Sequence, residues 1–315
     1  QNRALGGAYL KYETDWAANA EKHWSTYGYD WAATNYYDRA QIYYAWWVRT
    51  GNPEYWRRGT LTAMDYRTKY LEPNKYGASL YWSQLEGIAA HYRLTGDLQS
   101  QVAVGKTADI LGSYYRTGSL GNINHGDMES RGQARSLQAF LLAWEIQAPG
   151  GANYTPSSWS THLPLMLTQI LKAQQPSGAF LWNGWCGTSL NYMNGLLNDV
   201  MIRYFQRFQA DGRILTSVKA NADWLWATQW RPTGGSFNYQ SAFCARNNSG
   251  PSASGDLDLL YVTTYSWLYQ QTGNTTYRTT ADLIFTEGVR QTYLSGTKQF
   301  NEAFTLSYKH LAFRQ

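Results

Sequence analysis

The phrase RTGNPEYW at residues 49–56 is the clearest indication of the fold, because it returns as LTGDLQSQ at 94–101 and as QTGNTTYR at 271–278. Weaker counterparts are APGGANYT at 148–155 and FQADGRIL at 208–215. Each phrase is a short polar turn between two segments of helical periodicity, and a glycine in such a place is a typical helix stop. The chain is therefore predicted to repeat a helical hairpin roughly every 45–60 residues.

Apolar and aromatic residues recur with the helical period on both sides of these turns. The predicted helices span residues 8–24, 35–50, 53–71, 80–95, 97–116, 127–148, 157–175, 189–209, 214–230, 256–271, 275–294 and 299–313. The last has no partner after it, so we expect the first helix to pair with it and close a ring. GAFLWNGW at 178–185 and GSFNYQSAF at 235–243 are candidates for short β pieces. We predict one all-α domain over 1–315, an (α/α)6-type toroid of helical hairpins.

Loops between successive hairpins are long, glycine-rich and aromatic, in contrast to the short turns within hairpins. They cover 25–38, 74–82, 121–131, 181–192, 236–258 and 295–302. In a toroid of hairpins they all emerge at the N-termini of the inner helices, and we call this face the loop rim. Ordered loops on one face of a rigid scaffold commonly carry binding sites, and helix N-termini favour anionic ligands.

The aromatic content is high, with 15 Trp and 26 Tyr against 10 Phe. Rings with a polar group suit half-wet surfaces on which sugars stack, although most of them are expected to be core. The net charge is +5, which favours an anionic partner. The basic residues are scattered, so we expect no nucleic-acid partner, and the apolar stretches are too short to span a membrane.

The two cysteines, Cys186 and Cys244, lie in glycine-rich aromatic loops and form no metal-binding pattern. If the protein is secreted, a disulfide between them is expected, and closing that loop stabilises by roughly 4 kcal/mol in the chain-entropy model. The alternative is two unrelated buried thiols. Because the chain opens at Gln1, a processed, secreted or periplasmic form is our expectation.

The densest polar segment is GNINHGDMESRGQAR at 121–135, which combines amide, imidazole, carboxylate and guanidinium groups on one rim loop. LNYMNG at 190–195 adds a tyrosine and an asparagine at the start of the next inner helix. This layout resembles the α/α-toroid carbohydrate-active enzymes, which include alginate and glucuronan lyases and six-hairpin glycoside hydrolases. The resemblance covers most of the chain and rests on repeat layout and loop chemistry. It implies a polysaccharide-degrading enzyme.

In the lyases of that group, a Tyr or His commonly acts in β-elimination while an Asn, His or Arg neutralises the uronate. Residues of these types stand here as Asn124, His125, Arg131, Arg135, Tyr192 and Asn194. Elimination fits the residues, because removal of the C5 proton needs a base and donors that neutralise the adjacent carboxylate. The competing interpretations are a loop hydrogen bond for His125, scaffold ion pairs for both arginines and a core position for Tyr192.

Hydrolysis is the alternative, and it needs two carboxylates across the scissile bond. Our preferred pair is Asp127 or Glu129 against Asp256 or Asp258. Other carboxylates on the loop rim are Asp30, Asp38, Glu86 and Glu302. The competing role for any of these acids, strongest for Asp127 and Asp256, is to stabilise a helix N-terminus.

Substrate contacts are predicted from the rings and polar groups in or beside the rim loops. The candidates are Trp31, Tyr37, Trp82, Glu86, Trp182, Trp185, Asn194, Tyr239 and Lys298. The sequence has no nucleophile elbow, phosphate loop, dinucleotide fingerprint or zinc-binding histidine spacing, so neither a metal nor a cofactor is predicted. We expect a secreted monomer that cleaves an acidic polysaccharide by β-elimination, with hydrolysis as the alternative and non-catalytic glycan binding as a third class.

Overall fold

The computed structural model describes residues 4–112 and 129–315, together with the backbone of residues 2–3 and 113–117. Its helices are α1 (Gly7–Tyr27), α2 (Trp31–Thr34), α3 (Arg39–Thr50), α4 (Pro53–Tyr66), α5 (Glu86–Thr95), α6 (Leu98–Thr117), α7 (Ser130–Glu145), α8 (Ser158–Ala173), α9 (Tyr192–Arg207), α10 (Gly212–Thr228), α11 (Val262–Thr272), α12 (Thr275–Gln291), α13 (Thr297–Phe304) and α14 (Tyr308–Phe313). A π-turn (Arg67–Leu71) extends α4, and 3₁₀ turns span Asn2–Leu5 and Gly255–Leu260.

These helices form the predicted toroid, with one helix of each hairpin inside and the other outside. The inner ring consists of α3, α5, α7, α9, α11 and the α13–α14 pair. Contacts run from α3 to α5, from α7 through α9 and α11 to α14, and from α13 back to α3. An ion pair between Arg93 and Glu145 joins α5 to α7. Ser130–Ala143 of α7 are all buried, as expected for a helix surrounded by others.

The repeated phrases fold into nearly identical turns, which explains why they recur. Gly51, Gly96 and Gly273 each end an inner helix with positive φ, between 68° and 74°, a conformation that costs glycine nothing. The next residue, Asn52, Asp97 or Asn274, caps the outer helix by accepting a backbone N–H at 3.0–3.1 Å. The weaker phrase at 208–215 uses Asp211 in the same way, with Arg213 N at 2.9 Å.

The first helix closes the ring, as predicted, by packing against α12 and α13. The Tyr12 hydroxyl lies 2.8 Å from Ser307 Oγ, which precedes α14. Trp16 stacks on Trp46 of α3, with ring centres 4.3 Å apart, and its ring also lies 5.3 Å from Phe300 of α13. α1 therefore joins the start of the chain to the helices on both sides of the closure.

Several helix boundaries differ from prediction, and the three described next differ for a visible physical reason. α5 begins at Glu86 rather than at residue 80, because residues 80–85 form turns in which the Trp82 carbonyl accepts the Tyr66 hydroxyl proton. The last predicted helix is divided into α13 and α14, and the Ser307 hydroxyl bonds back to the Ala303 carbonyl at that break, a competition typical of serine. The predicted helix 256–271 starts with a 3₁₀ turn, and α11 begins at Val262.

The two predicted β segments form only short pairings. Ser236–Phe237 (β2) pairs antiparallel with Trp230–Arg231 (β1), whereas 178–185 contributes isolated bridges such as Trp182 with Thr188. The predicted disulfide between Cys186 and Cys244 is present and ties two rim loops together over a separation of 58 residues. Among the described residues, none of the helices combines the length and apolar character that a bilayer crossing requires.

Candidate active site

Arg131, in the first turn of α7, brings three side chains together on the loop rim. Its Nε lies 2.7 Å from a carboxylate oxygen of Glu129, which holds the N-cap position of α7. Its Nη1 donates to the Tyr36 hydroxyl at 3.1 Å, and its Cζ lies 4.0 Å from the centre of the Tyr81 ring. Glu129 is thus an ion-paired carboxylate at the positive end of a helix.

A second carboxylate, Glu302, lies on α13 of the same rim and is 1 % exposed. Burial raises the pKa of Glu302 to about 7, against the opposing effect of the Lys298 ammonium. Lys298 Nζ is 3.2 Å from one carboxylate oxygen, and its own side chain is half exposed. Neither oxygen accepts a well-aligned hydrogen bond from residues 4–112 or 129–315. A carboxyl group in such surroundings favours the protonated form.

Tyr36 connects these two ion pairs. Its hydroxyl accepts from Arg131, and Lys298 Nζ lies 5.9 Å from the centre of its ring. Burial raises the pKa of the Tyr36 hydroxyl, while Arg131 and Lys298 counteract that effect. The Glu129–Arg131 pair and the Lys298–Glu302 pair therefore meet at one half-buried phenol.

Aromatic rings extend the site along the rim. Trp82 lies edge-on to Tyr36 at 5.3 Å and to Trp31 at 5.2 Å. On the other side, Tyr239 packs against Tyr192 at 5.3 Å. Trp31, Trp82 and Tyr239 are each partly exposed, so each presents a face to solvent on which a sugar ring can stack.

Farther out, Trp182 and Trp185 stack at 5.2 Å, next to the disulfide. The Arg246 guanidinium lies 5.9 Å from the Trp185 ring centre. Both tryptophans are partly exposed. This predicted pair is therefore a second aromatic surface on the same rim.

Tyr192, one of the predicted catalytic residues, starts α9 and is 7 % exposed. Burial raises the pKa of its hydroxyl well above the ordinary value, and the neighbouring Tyr37 and Tyr239 phenols add to the rise, while Arg131 opposes it. A phenol in this position is a weak proton donor and forms a phenolate only at high pH.

Several other predicted site residues lie inside the protein. Asn194 is fully buried and bonds to Ser189 Oγ at 2.9 Å and to Ser130 Oγ at 3.0 Å. Arg135 is buried and donates to Gln138 of its own helix at 3.0 Å. The bond between Ser130 and Asn194 joins α7 to α9.

Asp258 and Tyr37 are also core residues. Asp258 accepts the Phe237 N–H at 3.1 Å, and burial raises its pKa well above the ordinary value. Tyr37 is 2 % exposed and has no free face for a sugar. Tyr37 does belong to the rim loop 25–38, as predicted. Its backbone, however, adopts the left-handed region at φ 63°, and its ring turns inward.

Glu86, predicted to contact substrate, points away from the loop rim. Its carboxylate accepts from Arg203, in the last turns of α9, at 2.7 Å. Asp256, predicted from the sequence as one member of the acid pair, is half-buried in the 3₁₀ turn. It lies close enough to Glu302 to raise the pKa of the Glu302 carboxyl. Asn124, His125 and Asp127 lie outside the described residues.

Tyr36 and Tyr81 were not selected from the sequence as site residues, and Glu302 was named as a rim carboxylate but left out of the preferred acid pair. The signal for Glu302 was available, since it stands on a rim loop four residues after Lys298. Tyr36 and Tyr81 stand in the rim loops 25–38 and 74–82, but nothing local distinguishes them from the other tyrosines of the rim loops. Within residues 4–112 and 129–315, no group of three or more His, Cys, Asp or Glu side chains converges as metal ligands do.

No family model matches the sequence, and no curated protein is significantly similar to it. Three solved structures are similar in fold. A glycosyl hydrolase family 88 protein from Bacteroides vulgatus superposes with a TM-score of 0.63 at 12% identity, covering 98% of this chain and 99% of that one. An unsaturated glucuronyl hydrolase specific for heparin gives 0.63 at 11% identity, covering 90% and 85%.

The third is a cellobiose 2-epimerase from Bacillus thermoamylovorans, with a TM-score of 0.57 at 11% identity over 78% of this chain and 73% of that one. The likeness to these three structures is one of fold, since the shared identity is low. The chain therefore has the α/α-toroid architecture found in these carbohydrate-active enzymes, as its repeats and rim loops predict.

Proposed function

We propose that the protein hydrolyses a glycosidic bond in an acidic saccharide at the loop rim, with Glu302 as general acid and Glu129 as general base. The observation that carries the proposal is the contrast between the two carboxyl groups. Burial raises the pKa of Glu302 to about 7, whereas Glu129 forms an ion pair with Arg131 at 2.6 Å. A buried carboxyl group with a raised pKa and a second carboxyl group ion-paired with a guanidinium are suited to the acid and base roles of glycoside hydrolysis.

Lys298 couples recognition of an anionic substrate to the acid. Its ammonium rests against Glu302 at 3.2 Å and its side chain is half exposed. When it turns toward a substrate carboxylate, it uncovers Glu302 and removes the positive charge that lowers the pKa of that carboxyl. Glu302 then keeps its proton for the glycosidic oxygen. Arg131 supplies a second cation beside the same substrate position.

Hydrolysis is preferred to β-elimination because of Tyr192. Elimination at C5 of a uronate needs a base, and burial raises the pKa of Tyr192, which makes its phenolate costly at neutral pH. The observation that favours elimination is Arg131, whose charge acts on Tyr192 and which could neutralise a uronate. A lyase would then need Asn124 and His125 to supply the other groups that elimination requires.

The comparisons support a saccharide substrate without naming it. One similar structure acts on unsaturated glucuronyl groups and another is a cellobiose epimerase, so uronate-containing and neutral substrates both belong in the test. The disulfide supports an oxidising, extracellular or periplasmic location. We infer a secreted enzyme that acts as a monomer.

The test is an activity screen with two readouts, reducing ends and ultraviolet absorbance of the C4=C5 double bond. Substrates are alginate, glucuronan, pectate, a neutral β-glucan and 4,5-unsaturated uronyl oligosaccharides. Hydrolysis of an ordinary glycoside gives reducing ends without an absorbance change, and hydrolysis of an unsaturated uronyl group removes absorbance. A gain in absorbance would identify a lyase and overturn the proposal. Retention on immobilised glycan without turnover would identify a binding protein.

The assignment of roles is tested with Glu302→Gln and Glu129→Gln, each compared with Glu54→Gln on the outer helix α4. General acid–base groups contribute roughly 10²–10⁴ in rate. Both site variants should lose activity on that scale while the control keeps it. Full activity in either site variant would exclude that residue from the chemistry.

A further inference from the structure

A large cavity opens at the end of the barrel opposite the loop rim. Its volume is about 850 Å³, and its mouth is formed by the last turns of α5, α9 and α14, with Arg93, Arg207 and Phe313. It narrows inward to Glu86 and Gln41. No residue proposed above for catalysis lies in its wall. This volume is sufficient for a small organic ligand, which commonly occupies 300–1,000 Å³.

The charged groups in the wall are largely paired with one another. Arg203 donates to Glu86 and to Glu145 at 2.7 Å each. Lys309 donates to both oxygens of Asp199, at 2.8 and 2.7 Å. Lys309 therefore neutralises Asp199, whereas Arg203 carries one positive charge between two carboxylates, Glu86 and Glu145.

The mouth carries one positive charge beyond these pairs. Arg93 shares Glu145 with Arg203, which also pairs with Glu86, so these two guanidinium groups balance two carboxylates. Arg207 is exposed and forms no ion pair or hydrogen bond within residues 4–112 and 129–315. Cations in a last turn are favoured by the helix dipole, which accounts for their presence but leaves the cavity beside them unexplained.

A second groove of about 600 Å³ adjoins the cavity and shares Arg93 and Arg207 with it. Its other walls include Trp144 and Pro156. Trp144 is partly exposed, and its ring is held edge-on by Phe208 at 5.0 Å. Two arginines thus stand between a polar cavity and an aromatic surface.

We propose that this end of the barrel binds a small organic anion, distinct from the substrate position at the loop rim. Arg93 and Arg207 hold its carboxylate or phosphate group through charge-assisted hydrogen bonds. Its body occupies the cavity, and its apolar face lies toward Phe205 in the cavity wall.

The test is calorimetric titration of the full chain at low ionic strength with glucuronate, glucose 6-phosphate, inorganic phosphate and glucose. The anions should bind and glucose should not. Comparing glucuronate with glucose 6-phosphate distinguishes a carboxylate ligand from a phosphate ligand. Inorganic phosphate alone shows how much of the affinity comes from the acidic group.

Two variants locate the site. Arg207→Ala removes an exposed charge, and Ala90→Trp fills the cavity without changing any charge. Each should weaken anion binding about tenfold or more, the loss expected for a charged hydrogen bond or an occluded volume. Arg278→Ala, on the outer helix α12, makes the same charge change elsewhere and should leave binding intact. The proposal is overturned if no anion binds at millimolar concentration, or if Arg207→Ala and Ala90→Trp bind as tightly as the unmodified protein.

Discussion

Glu302 illustrates how folding makes one carboxyl group a weaker acid than its neighbours. In the unfolded chain it titrates near 4.5, and in the folded protein burial raises its pKa to about 7. A raised folded-state pKa means that stability is fully present below the unfolded value and is lost as the pH rises through about 7. The same proton that the reaction requires is therefore one that the fold favours.

Glu302→Gln should separate these effects. Because glutamine cannot ionise, the variant should gain stability relative to the unmodified protein as the pH rises from 4.5 to 7, by about 4 °C in melting temperature. Melting curves at pH 4.5, 6 and 8 measure the difference. Glu54→Gln is the control. If the melting temperatures of Glu302→Gln and the unmodified protein differed by the same amount at all three pH values, the effect assigned to burial of Glu302 would be contradicted.

Lys298→Ala should move the pH profile of the reaction. Lys298 lowers the pKa of Glu302, so removing the ammonium raises that pKa further. Activity lost by deprotonation of the acid in the free enzyme then persists to higher pH, and the alkaline limb of kcat/KM should shift upward. kcat/KM measured across the pH range checks this. An alkaline limb that stays in place or moves downward would separate Lys298 from the acid.

The Tyr192→Phe variant, which lacks only the phenolic oxygen, distinguishes hydrolysis from β-elimination. In hydrolysis by the two glutamates, the buried hydroxyl takes no proton and activity should fall less than about tenfold, whereas loss of a general base costs roughly 10²–10⁴. Steady-state kinetics on the substrate found in the screen provide the measurement. A loss on the larger scale would favour elimination.

Among the elements, the hairpin turns are the parts whose structure follows most directly from local chemistry. A Thr-Gly-Asn or Thr-Gly-Asp sequence supplies a left-handed glycine and a helix cap within three residues. Replacing a cap of this kind costs about 1 kcal/mol, and a side chain at positive φ costs a similar amount.

Asn274→Ala and Gly273→Ala should each destabilise the protein by about 1 kcal/mol. Denaturation midpoints measure the change. Thr276→Ala, in which the capping backbone N–H is kept, serves as the control and should cost less. The turn lies far from the loop rim, so activity per folded molecule should stay the same, and equal stability of all three variants would contradict the role of the turn.

The rim elements could be predicted only in part, because their structure depends on contacts between residues that are distant in sequence. The turn phrases act through neighbours in sequence, whereas α5 begins at Glu86 because residues 80–85 pack against Tyr66, a contact with a different helix. Likewise, the position of Glu302 four residues after Lys298 is visible in the sequence, but its raised pKa arises from burial, which no local pattern records. Tyr37 has the composition of a sugar-binding residue and instead fills the core.

At the scale of the whole molecule, ring closure and the candidate site depend on the same contacts. α1 packs against α13, which carries Lys298 and Glu302. Trp16 touches Trp46 on one side and Phe300 on the other, so it holds α13 against α3. Disturbing the closure should therefore weaken the site as well as the fold.

Trp16→Ala should cost about 3–5 kcal/mol, the range for removing a fully buried large aromatic side chain, and should lower activity by displacing α13. Denaturation midpoints and kcat at a temperature where the variant stays folded are the measurements. Trp47→Ala, one position along from Trp46 and only partly buried, is the matched control with a smaller expected loss. A change within about 1 kcal/mol for Trp16→Ala would mean that α1 is peripheral to the ring.

Because α1 closes the ring, the contacts of each hairpin depend on its neighbours in space more than on its place along the chain. A solenoid of helical repeats has two ends that need caps, whereas here each hairpin lies between two others and none is terminal. Since the start of the chain packs beside α12 and α13, a linker between the two ends and a new opening at Gly51 or Gly273 would give a circularly permuted chain with the same inner ring. In the permutant opened at Gly273, Glu302 would come before Glu129 in the sequence while both keep their places on the rim.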